Sequence, residues 1–138
     1  MVKESELHVV AVTAWIAKDN KFLLVKRSLG EKAFPGKWCV PGGKVRGSER
    51  ISDALKREIL EETEVEIKNA RLLHDYEFMH PEGKHVVGLH FVAEYAGGQV
   101  KLGEGLDDFA WVSLDEVKNF DAIEGYERLA ERVKNFLN

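Results

Sequence analysis

Cysteine is nearly missing from this 138-residue chain. Cys39 stands alone, so no internal disulfide can form. Its neighbours Trp38 and Val40 are apolar, which predicts a buried, inert thiol rather than a nucleophile. Proline is scarce, with three in the chain, and there is no Pro/Ser-rich linker and no repeat. Long apolar runs are lacking too, which excludes a bilayer-spanning helix and argues against a membrane partner. Met1 to Glu6 are polar and mixed in charge, unlike a secretory leader, so the expected location is cytoplasmic. An excess of one charge is also missing: 20 Lys and Arg face 24 Asp and Glu, for a net charge of −4. That balance disfavours a protein that coats nucleic-acid backbone. It leaves room for a small phosphorylated ligand if a metal ion screens the charge.

What is present is ordinary globular material, 44% hydrophobic and 32% charged, and the length predicts one domain over residues 1–138. His8 to Ala17 and Lys21 to Arg27 read as strands, with Lys18-Asp19-Asn20 as a hairpin turn. A loop from Ser28 to Lys37 leads to a short strand at Trp38-Cys39-Val40, and Pro41-Gly42-Gly43 reads as a breaker. From Ile51 to Thr63 the apolar residues Ile51, Ala54, Leu55 and Ile59 recur at helical spacing. Residues 71–79 and 85–95 are strand-like. The second is apolar on both faces, which places it centrally. Phe109 to Val112 is a further strand. Ser113 with Glu116, and Asp121 with Glu124, each fit a capping box that opens a helix. Strands and helices mix along the chain, so the expected fold class is a layered α/β arrangement.

The chemistry concentrates in Arg57-Glu58-Ile59-Leu60-Glu61-Glu62. On a helix Glu58, Glu61 and Glu62 share one face. Three carboxylates so close repel one another and raise one another's pKa unless a cation offsets them. Mg²⁺ and similar hard ions take a few carboxylates plus water and phosphate oxygens. A solvated acidic helix face is the plain alternative for the hexapeptide alone. The residues before it, Gly43 and Glu49, and Val65 after it, add a fixed spacing.

That spacing resembles the box of the Nudix hydrolases: Gly, five residues, Glu, seven residues, then Arg-Glu-aliphatic-x-Glu-Glu-x-Gly-aliphatic. Here it runs from Gly43 through Glu49 and Arg57 to Val65, with Glu64 standing where the family has glycine. Pro41-Gly42-Gly43 after a tryptophan-bearing strand is a frequent family lead-in. Arg46 and Gly47-Ser48 depart from the usual loop. A left-handed Glu64 costs on the order of 1 kcal/mol, unless the helix runs on past it.

The resemblance implies an α/β/α sandwich with a mixed sheet between helices. It implies Mg²⁺ or Mn²⁺ held by Glu58, Glu61 and Glu62, with the Gly43 carbonyl and Glu49 completing the shell. Arg57 would orient a glutamate, and Glu58 or Glu61 would accept the proton. Glu104 is the candidate for a further ligand from a loop, with Asp107 and Asp108 as rivals. Arg27, at the end of its strand beside Lys26, is a candidate phosphate contact. Phe34, Trp38, Phe78, Tyr76 and His80 are candidates to stack on a base or ribose, against the plain alternative of core packing.

The implied reaction is metal-dependent hydrolysis of a diphosphate bond in a nucleotide, releasing a nucleoside monophosphate. Pro81, 16 residues beyond Val65, is a family feature associated with ADP-ribose, though a turn recruits proline anyway. ADP-ribose and (deoxy)nucleoside triphosphates stay open as substrates. So does a non-catalytic module that senses a nucleotide, and either a monomer or a homodimer.

Overall fold

The hairpin forms as its turn chemistry requires. In the computed structural model, which describes residues 1–138, β1 (Val9–Lys18) and β2 (Lys21–Arg27) are joined by Asp19 and Asn20. Both turn residues have positive φ, 50° and 63°, the two-residue geometry that matches the right-handed strand twist. The chain then forms β3 (Trp38–Cys39), β4 (Gly42–Lys44), α1 (Ile51–Thr63), β5 (Glu66–Met79), β6 (His85–Gly97) and β7 (Leu106–Val112). A 3₁₀ helix, Leu114–Asn119, and α2 (Tyr126–Leu137) complete it. No helix is long and apolar enough to cross a membrane.

The strands form one mixed sheet in the order β3-β2-β1-β6-β5, with β4 paired to β1 and β7 to β2. β1 and β6 run parallel from Val9↔Val86 to Ala17↔Glu94, while β5 is antiparallel to β6. The central position expected for residues 85–92 is therefore found. Both faces of β1 are covered, which is why it reads as almost continuously apolar. Val12, Ala14 and Ile16 are fully buried on the face where α1 packs with Ala54, Leu55 and Ile59. The alternating Trp15 faces the other way, 5.5 Å from the ring of Tyr126 on α2. The expected sandwich of helices about a mixed sheet is thus present.

Three expectations need correcting. Gly42-Gly43 does not break the chain's pairing: Gly42 and Gly43 pair with Thr13 and Val12 of β1. A Cβ on Gly42 would lie 2.0 Å from the Val12 carbonyl oxygen, so glycine here permits close pairing. β5 begins at Glu66, ahead of the expected 71, because its first half is an exposed edge with charged residues where a half-buried strand shows alternation. Register shifts there, and left-handed Asn69 at φ 52°, further mask the pattern.

The second capping box, Asp121 with Glu124, is absent. α2 starts at Tyr126 behind left-handed Gly125, with no side-chain cap. Residues 121–123 are held extended instead, because Trp38 N–H donates to the Asp121 carbonyl and Ile123 N–H to the Trp38 carbonyl. The first box is real, with Ser113 N–H donating to Glu116 Oε1 at 2.9 Å.

Candidate active site

α1 spans the residues that its apolar spacing predicts, and buries Ala54, Leu55, Ile59 and Thr63. Glu58 and Glu62 fall within the arc of that stripe and are half-buried at its solvent-facing edge, while Glu61 flanks it and is exposed. The helix ends at Glu64, left-handed at φ 58°, whose N–H donates to the Leu60 carbonyl. Glutamate thus takes the conformation for which glycine is suited.

Arg57 gathers the acids. Its Nε donates to Glu49 Oε2 at 2.6 Å and its Nη2 to Glu49 Oε1 at 2.8 Å, a two-point contact. Nη1 reaches Glu58 Oε1 at 2.7 Å and Glu61 Oε2 at 3.2 Å. Nη2 also meets the Lys44 carbonyl at 3.1 Å. The Arg57 bond, helped by the Arg46 backbone N–H, holds the Glu49 carboxyl down at about 2. The same acids push the guanidinium pKa of Arg57 up. Three carboxylates therefore share one guanidinium, and no three acid, histidine or cysteine side chains converge as a ready cation cluster.

Glu62 differs. It has no such partner; the Gly42 N–H donates to its Oε2 at 3.3 Å. Burial first, offset by that hydrogen bond, pushes its carboxyl up to about 7, with the Glu58 and Glu31 charges adding to the rise. Gly43 lies beside these groups, for a Cβ there would sit 2.0 Å from Glu58 Oε2. The carboxylate fills the space that any other residue would need.

Two loops approach from the far side. Arg27 ends β2, its Nε donating to the Ala33 carbonyl at 2.7 Å and its Nη2 lying 3.8 Å from Glu31 Oε1. Gly103 N–H donates to the Glu62 carbonyl, and a Cβ on Gly105 would meet Glu31 Oε1 at 2.5 Å. Exposed Glu104 sits between these two glycines, beside the end of α1. Its rivals are engaged: Asp107 accepts from Ser28 Oγ at 2.6 Å and Asp108 from the Phe109 N–H at 2.8 Å.

A model of the NUDIX domain matches residues 7–133. The chain belongs to the Nudix family. This Nudix chain is 32% identical over 124 residues to the nucleoside triphosphatase NudI of Klebsiella pneumoniae, covering 83% of this chain and 88% of that one. It is 36% identical over 110 residues to an ADP-ribose pyrophosphatase of Methanocaldococcus jannaschii, covering 78% of this chain and 63% of that one. Among solved structures, a MutT protein of Methanosarcina mazei superposes with a TM-score of 0.82 at 28% identity, over 95% and 96% of the two chains. The Nudix chain is accordingly a hydrolase of the α/β class.

The aromatic candidates of this Nudix domain separate into two groups. Phe34 and Phe78 meet at 5.0 Å, and Tyr76 lies parallel to Phe78. Trp38 packs elsewhere, against Phe120. His80 Nδ1 accepts from the Glu82 N–H, shaping the turn that carries Pro81. A cleft of about 350 Å³ lies near Phe120, Ile123 and Tyr126, and none of the Nudix carboxylates lines it.

Sequence reasoning missed Glu31. It belongs to no motif and lies in a loop; its i,i+4 spacing to Arg27 was the available signal. Cys39 is buried and its thiol is pushed up to about 12 by burial, as its apolar neighbours predicted.

Proposed function

We propose that this Nudix hydrolase cleaves a diphosphate bond in a nucleotide with the help of Mg²⁺ or Mn²⁺, releasing a nucleoside monophosphate. The observation that carries the reading is Glu62, a carboxylate taken out of water beside Glu58 with no cation of its own. Such a group is costly unless paired or metal-bound. The donor set fits a hard divalent ion, since Glu58, Glu61, Glu62, Glu49 and the Gly43 carbonyl all offer oxygen. Glu104 stands ready as a further ligand. Bound there, the ion neutralises phosphate charge and lowers the pKa of a water.

The chain's own groups do the rest. Arg57 holds Glu49 and Glu58 in fixed rotamers. Glu58 or Glu61 accepts the proton of the attacking water. Arg27, its Nε anchored by the Ala33 carbonyl, turns the remainder of its guanidinium toward a phosphate oxygen. The names of the relatives support a nucleoside triphosphate or ADP-ribose as substrate.

The test incubates the protein with Mg²⁺ and a panel of nucleoside triphosphates, ADP-ribose and nucleotide sugars, with Glu61→Gln as the blank. Release of a nucleoside monophosphate by the parent alone is the expected result. Binding without cleavage of any compound, with Mn²⁺ also tried, overturns the catalytic reading in favour of a sensing module.

A further inference from the structure

The parallel register of β1 and β6 begins at Val9↔Val86. One step earlier in that register stand His8 and His85, side by side at one end of the sheet. Their Nδ1 atoms are 2.8 Å apart, with the rings inclined at 73° and their centroids at 4.8 Å. β5 contributes Glu77 from the opposite flank. It lies diagonally from His85, whose direct partner is Met79, and its Oε2 is 3.2 Å from His85 Nε2. Three strands thus place Glu77, His85 and His8 in one row, and the hydrolysis proposed above uses none of them. His8 and Glu77 are exposed and His85 is half-buried.

The hydrogens of this row are constrained. The Glu77 carboxylate accepts, so His85 Nε2 carries a hydrogen and the neutral ring keeps its lone pair on Nδ1. His8 Nδ1 then donates the one hydrogen that lies between the rings. As a brace this bond adds little, because water competes for both nitrogens at an exposed site. As a pair of ligands the same nitrogens are well placed. When His8 takes its other tautomer, with the hydrogen on Nε2, two lone pairs face each other across the gap. A cation between them turns that repulsion into coordination, with no net change in protons. Two imidazole nitrogens bound to one ion at 2.0–2.1 Å stand about 3 Å apart, so the observed pair needs only a small opening. A carboxylate on the far nitrogen is the arrangement that orients a metal-bound histidine and raises its basicity.

We infer that His8 and His85 form a second cation site, for Zn²⁺ or a divalent ion of like preference, with Glu77 as the orienting carboxylate. Imidazole favours such ions, whereas the all-oxygen set on α1 suits Mg²⁺ or Mn²⁺. The remaining coordination positions face solvent and take water. The ion clamps the residue ahead of β1 to the first residue of β6.

The experiment adds Zn²⁺, in excess Mg²⁺, to the whole chain and follows the imidazole NMR signals of its five histidines, with calorimetry for the affinity. The signals of His8 and His85 should shift together and saturate at one ion, while those of His74, His80 and His90 hold. Binding at this pair should be abolished in His8→Gln and in His85→Gln, and weakened about tenfold in Glu77→Ala, the usual effect of removing such a carboxylate. Zn²⁺ should raise the Tm of the parent more than that of His8→Gln. Unmoved His8 and His85 signals, or Zn²⁺ uptake that is the same in both histidine variants, overturns the site. Parental affinity in Glu77→Ala overturns the orienting role. Nucleotide cleavage by His8→Gln should match the parent, so the two sites stand or fall separately.

Discussion

Half-buried Glu62 on α1 and buried His90 on β6 are both ionisable groups withdrawn from water. Glu62, on the α1 side, keeps a single hydrogen bond from Gly42 and is raised to about 7 by burial. His90, on the aromatic side, is lowered to about 4 by burial, and its Nδ1 is paired with the Thr13 hydroxyl at 2.8 Å. Burial disfavours the charged form in both. The aromatic side resolves the conflict internally, since a neutral imidazole brings no charge to be solvated and its Nδ1 is paired. The α1 side leaves its conflict open at the rim of the protein. The divalent ion proposed for the glutamates would relieve the open conflict, while the closed one belongs to the structure alone.

The largest expected effect comes from removing the guanidinium that three carboxylates share. Arg57→Ala frees Glu49, Glu58 and Glu61 together, and kcat should fall by about 10² to 10³. Arg57→Lys should recover little, because an ammonium lacks the planar fork that grips Glu49 at two points. Steady-state rates on the cleaved nucleotide check this; near-parental kcat in Arg57→Ala would remove the positioning role.

Glu62→Gln tests the open conflict directly. An unfolded glutamate loses its proton near 4.5, the folded one near 7, so stability is lost as pH rises between these values. Without metal at pH 8, Glu62→Gln should therefore be more stable than the parent, by up to about 3 kcal/mol. Adding Mg²⁺ should raise the parent's Tm more than the variant's. Thermal melts at pH 5 and 8, with and without the ion, read both effects.

His90 predicts the opposite limb. Its folded value lies below the ordinary 6.5, so the unfolded state takes up a proton first and stability is lost as pH falls from 6.5 toward 4. The loss attributable to His90 is up to about 3 kcal/mol. His90→Gln should cost stability at pH 7.5, and the gap to the parent should narrow at pH 4.5. Urea titrations at the two pH values measure it, and a gap that does not depend on pH would show His90 to be merely packed.

The smallest effect concerns the end of α1. Glu64→Gly relieves a left-handed residue at φ 58° and should stabilise the fold by about 1 kcal/mol, a rise of a few degrees in Tm. A lower Tm would mean that the Glu64 side chain makes a contact that outweighs its backbone cost.

Much of this was legible in the residue pattern. α1 was readable to its ends, because Ala54, Leu55 and Ile59 recur at helical spacing and face the core, although Ile51, read as part of the same stripe, is exposed. The Arg57 grip on Glu49 was readable only as part of a long spaced motif, since Glu49 lies in the loop ahead of α1 and outside the helical periodicity. β4 was not readable: two glycines signal a turn by propensity, and only their close pairing with Val12 and Thr13 makes them a strand. The capping box at Asp121 failed because Trp38 claims the backbone of 121–123, a tertiary contact invisible to local chemistry. Glu31 escaped because its i,i+4 spacing to Arg27 carries meaning only on a helix, whereas its place beside Arg27 and Gly105 depends on how two loops close.

The parallel pairing of Val9 with Val86 also sets an order in time. The two central strands are separated by the whole of β2 to β5, so neither can find its partner early. During synthesis α1, with its row of glutamates, leaves the ribosome before β6 exists. The hairpin of β1 and β2 can form at once, but its inner edge waits for a segment far down the chain, and such distant closure is slow. A divalent ion at the proposed glutamate site would not speed this step, because Gly42 and Gly43 are placed by β1, and β1 is fixed when β6 docks. The groups of the proposed glutamate site should thus be among the last parts to assemble, and a chain cut before residue 94 should carry all the box residues and hold none of them in place.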